Sequence, residues 1–141
     1  MYDTAKGWVM KELFTPKCAK SGTSHYIKLL IEDGILFSCC TSDNKIHTWS
    51  LKGGPLHTIG KEGSGAGCFK VPFLCEIDHD MNMIVADHNN HRIQVVNTQG
   101  EGGVFNIGEK ICYPRSTVVH KDKLIIVSTG SPYLMTVLSH E

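Results

Sequence analysis

Apolar residues fall in short β-branched and aromatic runs, separated by clusters of Gly, Asn, Asp and Ser. No segment holds the three- and four-residue spacing of an amphipathic helix. The runs predict strands at Trp8–Phe14, Tyr26–Ile31, Ile35–Cys39, Lys45–Ser50, Leu56–Ile59, Phe73–Ile77, Met83–Ala86, Arg92–Asn97, Val104–Ile107, Ser116–Val119, Leu124–Val127 and Leu134–Leu138. Turns are predicted at Glu32-Asp33-Gly34, Ser42-Asp43-Asn44, Lys52-Gly53-Gly54, Asp78–Asn82, His88-Asn89-Asn90, Gln99–Gly103, Lys121-Asp122 and Gly130-Ser131-Pro132. Gly, Asn and Asp tolerate the positive φ that tight hairpins need. Closely spaced strands joined in this way make an antiparallel all-β protein.

The pattern also repeats. Phe37–Ile46 superposes without a gap on Ile84–Ile93, and Gly53 and Gly100 keep the same spacing. Ile125–Leu134 superposes on the same block, and Val71-Pro72 corresponds to Tyr113-Pro114. A period of about 40–47 residues with four short strands is the blade of a β-propeller. The blades are expected at residues 21–62, 63–109 and 110–141, and residues 1–20 as the outer strand of a preceding blade or an N-terminal extension. Strands covered on both sides by neighbouring blades should be apolar and small, as Ile84-Val85-Ala86 and Ile125-Ile126-Val127 are. An outer strand should alternate, as Arg92-Ile93-Gln94-Val95 does.

One stretch is more specific. Gly63-Ser64-Gly65-Ala66-Gly67-Cys68-Phe69-Lys70-Val71-Pro72 is followed by Val85-Ala86-Asp87-His88-Asn89-Asn90-His91-Arg92-Ile93-Gln94-Val95-Val96. Residues 60–107 resemble one complete NHL repeat. The first block, with Ser42-Asp43-Asn44-Lys45-Ile46-His47-Thr48-Trp49-Ser50, resembles a WD repeat as well as an NHL repeat. The third keeps Tyr113-Pro114 and Ile126-Val127-Ser128 but carries Ser131-Pro132-Tyr133-Leu134 in place of the Asn-His-Arg-Ile core. Within the family, the repeats are similar to the C-terminal propellers of TRIM-type RING ubiquitin ligases. The resemblance implies a six-bladed ring. Three blades are half of one, so remaining blades or a second copy would be needed to cover two open blade faces.

Charge and composition narrow the function. The chain carries 14 Lys+Arg and 14 Asp+Glu, a formal net charge of zero, and its arginines are Arg92 and Arg115 alone. That balance disfavours a dedicated nucleic-acid binder. A hydrophobic share of 41% against 20% charged residues disfavours disorder. The longest aliphatic run, Leu124–Val127, is far short of a membrane span. Met1-Tyr2-Asp3-Thr4-Ala5-Lys6 does not open a secretory signal, so a cytoplasmic location is expected. Six cysteines (18, 39, 40, 68, 75 and 112) show no Cys-x-x-Cys pair and are expected to be reduced.

Among the polar residues, Asp87 and Arg92 flank the turn 88–91 and are expected to pair, pinning the turn and its neighbouring blade, with Asn90 and His91 as further structural members. His88 and His91 lie three apart on a hairpin, which does not supply the ligand set of a zinc site. Asp78-x-Asp80-x-Asn82 imitates the start of a calcium loop, but Met83 and Asn89 stand where Gly and Glu belong. Gly60–Gly67 lacks the Lys-Ser/Thr and helix of a phosphate loop and reads as a connection between blades. No nucleophile elbow is visible, and no cofactor or metal is expected. The resemblance to NHL propellers, some of which bind RNA through basic and aromatic residues near the prolines that open inner strands, implies a candidate binding patch of Lys28, Lys70, Tyr113 and Arg115 on one rim.

The reading is a non-catalytic interaction module that binds a protein substrate for a ubiquitin ligase whose RING lies elsewhere. One alternative is a platform for single-stranded RNA in post-transcriptional regulation. The other is part of a metal-dependent propeller enzyme such as a lyase or lactonase.

Overall fold

In the computed structural model, the described residues are 27–105, 111–130 and 134–139. The strand expected at Trp8–Phe14, the whole segment 1–20, and the turn residues Ser131 and Pro132 lie outside them. The described residues form three antiparallel sheets. The first holds β1 (Ile27–Glu32), β2 (Ile35–Cys40), β3 (Lys45–Ser50) and β4 (Pro55–Ile59) in chain order. The second holds β5 (Pro72–Ile77), β6 (Met83–Asp87), β7 (Arg92–Val96) and β8 (Gly102–Val104), again in order. The third holds β9 (Pro114–His120), β10 (Lys123–Ser128) and β11 (Leu134–Ser139).

The hairpins form where turn chemistry allows them. Asp33 and Gly34 both adopt positive φ (48° and 71°), the two-residue turn that matches strand twist, and Glu32 then pairs with Ile35. Between β5 and β6, Asp78 accepts hydrogen bonds at Oδ1 from the backbone N–H groups of Asp80 and Asn82, both at 2.9 Å. This is a side-chain-capped turn. Between β6 and β7, His88–Asn90 forms one 3-10 turn, closed by His91 in the left-handed region.

The sheets lie face to face and fan out from their first strands. β1 lies against β5, and β5 against β9; β2 also packs on β5, and β6 on β9. The middle sheet is therefore covered twice. Strand alternation divides its side chains: Val85 joins the seam with the first sheet, while Ile84 and Ala86 join the seam with the third. The first seam buries Phe37, Cys39, Ile46 and Ile59 against Leu74, Met83, Val85 and Val96. Phe69 enters it from the loop joining the first two sheets. Gly60 makes room there, because a Cβ at this residue would sit 2.4 Å from the Phe69 ring. The second seam is smaller: Ala86, Ile93, Ile111 and Ile126, flanked by Phe73, Cys75, Ile84 and Leu124. Each large side chain fully buried in a seam contributes about 1.5–3 kcal/mol.

The outer faces of the end sheets are open. Leu29 and Ile31 of β1 are each 58% exposed, and Met135 of β11 is 71% exposed. Pairing places Val118, Ile125 and Val137 side by side on the third sheet's outer face, with Val118 and Val137 exposed. Apolar strands that should be blade interiors are left uncovered, so the fan is an incomplete β-propeller.

One expectation needs correcting. β7 does not alternate between core and solvent, because Ile93 and Gln94 are both fully buried. The loop 63–68 folds over Gln94 and takes up its amide, so a polar side chain stays inside. No helix among the described residues is long and apolar enough to cross a membrane.

Candidate functional site

Asp87 closes β6, and its side chain has no exposed surface. Its Oδ1 accepts the Lys70 N–H at 2.7 Å. Its Oδ2 accepts Arg92 Nε at 2.8 Å, Asn90 Nδ2 at 2.9 Å and Gln94 Nε2 at 3.0 Å. A buried carboxylate is tolerable only when its acceptor sites are filled in this way. The donors in turn hold the connecting loop. Asn90 Nδ2 donates to Gly63 O, Arg92 Nη1 to Ser64 O, and Arg92 Nη2 to Gly65 O and Cys68 O. Gln94 donates to Cys68 O and accepts the Gly67 N–H. The Asp87–Arg92 pair thus pins both its own turn and the loop 63–68.

The neighbouring sheet is held by the two histidines. His91 Nδ1 accepts the Tyr113 N–H at 3.0 Å, so its neutral ring carries the proton on Nε2, and the Tyr113 ring stands edge-on at 4.2 Å. His88 Nδ1 donates to Pro114 O at 3.0 Å. Burial lowers the pKa of His88. The Pro114 hydrogen bond opposes this, and the positive charge of Arg115 adds to the effect of burial. At the first seam, Asn44 Oδ1 accepts the Val71 N–H at 2.9 Å. Asn44 and His91 share a left-handed backbone (φ 59° and 54°), and so do Val71 and Tyr113 (54° and 51°). The same clasp therefore recurs with different side chains. The sequence comparison placed Asn44 over His91 but gave no sign that both accept the N–H of the residue before a proline. Gln94 belongs to the repeat by sequence, and its interior role follows only from the loop that folds over it.

A cleft of about 340 Å³ opens where the first strands of the three sheets meet. Lys28 of β1 and Arg115 of β9 line it from either side of β5, with Pro72, Phe73 and Leu74 between them and Val127 at one wall. The Arg115 guanidinium lies over the Phe73 ring, 5.2 Å from its centroid. Two thiols also line the cleft. Burial pushes Cys39 up to about 12, and it raises Cys75 as well, so both are protonated at neutral pH. Cys39 Sγ donates to Pro72 O at 3.4 Å. Both are thus wall residues rather than nucleophiles.

The four residues of the expected rim patch take different places. Lys28 and Arg115 share the cleft. Tyr113 is 42% exposed and packs on His88 and His91, outside the cleft lining. Lys70 is exposed, and its backbone ties it to Asp87 and to the Asn89 N–H. Cys39, Cys40, Cys68, Cys75 and Cys112 are free thiols. Asp78 spends its carboxylate on its own turn. Hydrogen bonds from Asn82 and Asp80 overcome the effect of partial burial and hold its pKa below the ordinary value. No cluster of three or more His, Cys, Asp or Glu placed to hold a metal occurs among the described residues.

No protein-family model matches this chain, and no curated protein matches it. Solved structures do. The chain is similar to a streptogramin B lyase at 14% identity, with a TM-score of 0.53 over 79% of this chain and 39% of that one. It is also similar to a catalytically inactive virginiamycin B lyase from Staphylococcus aureus, crystallised with quinupristin. That match has 14% identity and a TM-score of 0.56, over 86% of this chain and 43% of that one. The chain spans about two fifths of the length of these proteins. At such identity the likeness shows the fold, a β-propeller.

Proposed function

We propose that this chain is a non-catalytic interaction module, part of an NHL-type propeller that binds a protein partner. In this reading residues 21–62, 63–109 and 110–141 are blades, and residues 1–20 are the outer strand of a preceding one or an N-terminal extension. The finer context is substrate recruitment in the cytoplasm for a TRIM-type ubiquitin ligase, whose RING would lie on another part of the protein. The carrying observation is the use made of the repeat's polar residues. Asp87, Asn90 and Arg92 are hydrogen-bonded to one another or to the connecting loop, and His91 to the next sheet. The signature is therefore spent on scaffold, which leaves the loop rim and the cleft to contact partners.

The test is capture of a defined candidate substrate by the purified chain, with and without ribonuclease. Ribonuclease-resistant, saturable binding is expected. Binding abolished by ribonuclease, with a salt-sensitive gel shift on single-stranded RNA, would replace this reading with the RNA platform. The lyase activity named for the similar structures supplies a second reading, a propeller enzyme. Turnover of a streptogramin by this chain with added divalent metal would establish it.

A further inference from the structure

The cleft between Lys28 and Arg115 has a chemistry that selects its occupant. Its volume of about 340 Å³ is at the small end of ligand clefts. Its floor and wall are apolar: Pro72, Phe73, Leu74 and Val127. Its two charged lining residues are both cations, and no carboxylate is among the described lining residues. Its two thiols are protonated at neutral pH and bring no negative charge. An occupant complementary to this lining has an apolar body and one compact anion. Arg can fork a carboxylate with two parallel hydrogen bonds, while Lys adds a point charge.

A nucleic-acid strand fits less well. It needs a row of cations tracking successive phosphates. Here there are two, on a chain of zero net charge. An internal acidic residue would also bring two flanking chain segments into a small space, whereas a chain end enters with one.

Building on the protein-binding reading above, we propose that this cleft seats the carboxyl-terminal residue of a partner protein, an apolar side chain on Phe73 and Val127 with its terminal carboxylate between Lys28 and Arg115.

Titration of the full chain with N-acetyl-Gly-Leu, as the free acid and as the carboxamide, followed by amide NMR shifts, tests this. The free acid should move the signals of Lys28, Cys75 and Ser116 saturably, at about millimolar concentration for so small a probe. The carboxamide should bind roughly tenfold or more weakly. Lys28→Met and Arg115→Met should each weaken the acid by a similar factor, and Lys61→Met, on the connecting loop, should not. Arg115→Lys keeps the charge but loses the fork, so it should fall between. Unchanged melting of each variant confirms folding. Equal binding of acid and carboxamide, absence of binding, or indifference to both cleft substitutions overturns the proposal. So does a uridine oligonucleotide that moves the same signals at lower concentration. Ribonuclease-resistant partner capture that persists in the Lys28→Met/Arg115→Met chain would sink the cleft assignment and leave the interaction module standing. Loss of that capture in the unsubstituted chain would sink the module itself.

Discussion

The two seams of the fan solve one problem by different means. Between the first and second sheets, nine buried residues form a continuous cluster plugged by Phe69, and the polar ties are Asn44 to Val71, Cys39 to Pro72 and Glu32 to His79. Between the second and third sheets the buried cluster has four residues. The polar ties there are His91 to Tyr113, His88 to Pro114, and the Glu76 carboxylate to the Val119 N–H at 3.1 and 3.2 Å, so a smaller apolar cluster is accompanied by as many ties. Where apolar area is scarce, hydrogen bonds fix the spacing of the sheets. Such bonds have direction but contribute only about 0.5–1.5 kcal/mol each, so the second seam should be the weaker, and His88 should make it respond to pH.

Breaking this comparison starts with the residue that serves the first seam indirectly. Asp87→Ala leaves the Arg92 guanidinium without its buried counter-charge and frees the loop that carries Phe69. A loss of about 3–5 kcal/mol is expected in urea denaturation. A loss below about 1 kcal/mol would show that the loop is held by other means.

Truncations within the seams come next. Phe69→Ala should cost about 3–5 kcal/mol, and Ile126→Ala less, near the lower end of about 2–5 kcal/mol, because the second cluster is smaller and closer to an open face. The reverse order would dismiss the idea that the first seam is the stronger.

The clasps differ in kind as well as place. Asn44→Ala leaves the partly buried Val71 N–H without its acceptor and should cost about 1–3 kcal/mol, and His91→Ala, whose partner N–H can turn to water, about 0.5–1.5 kcal/mol. Their pH behaviour separates them. His88 has a lowered pKa in the folded chain, so folding favours its neutral ring. Its contribution is present above the unfolded value of about 6.5 and is lost as pH falls through the folded value. Unfolding free energies measured from about pH 7.5 down to about pH 5 should therefore fall, and less steeply in His88→Asn than in the unsubstituted chain. Parallel curves would remove His88 from the account. The smallest effect is expected at Ser128, whose buried hydroxyl has no hydrogen-bond partner among the described residues. Ser128→Ala should be neutral or stabilising by up to about 1 kcal/mol. A clear loss would reveal a partner at this seam.

Much of the fold was legible because strand periodicity and turn chemistry are local. Lys45–Ser50 matches β3 at both ends. The strands after Pro55, Pro72 and Pro114 begin earlier than expected, since a proline is tolerated as the first residue of a strand, where its missing N–H is not needed. β8 lies at Gly102–Val104 rather than from Val104 onward. Glycines carry no hydrophobic signal, yet Gly102 is required: a Cβ there would lie 1.8 Å from Val95 O. In the site, the Asp87–Arg92 pair was readable from opposite charges flanking a turn. The resemblance grouped Lys28 and Arg115 on one rim, but the apolar cleft between them was not legible, because it forms only where three sheets converge.

The linear order of residues was enough to set the strands, their turns, their repetition and the Asp87–Arg92 pair, since each depends on neighbours a few positions away. Packing of sheet on sheet decided the rest. It placed Gln94 inside rather than out, turned Asn44 and His91 into equivalent acceptors, divided the apolar residues between a large seam and a small one, and brought two cations to one apolar cleft. These outcomes depend on which faces meet, and that is a property of three-dimensional proximity, which no local pattern encodes.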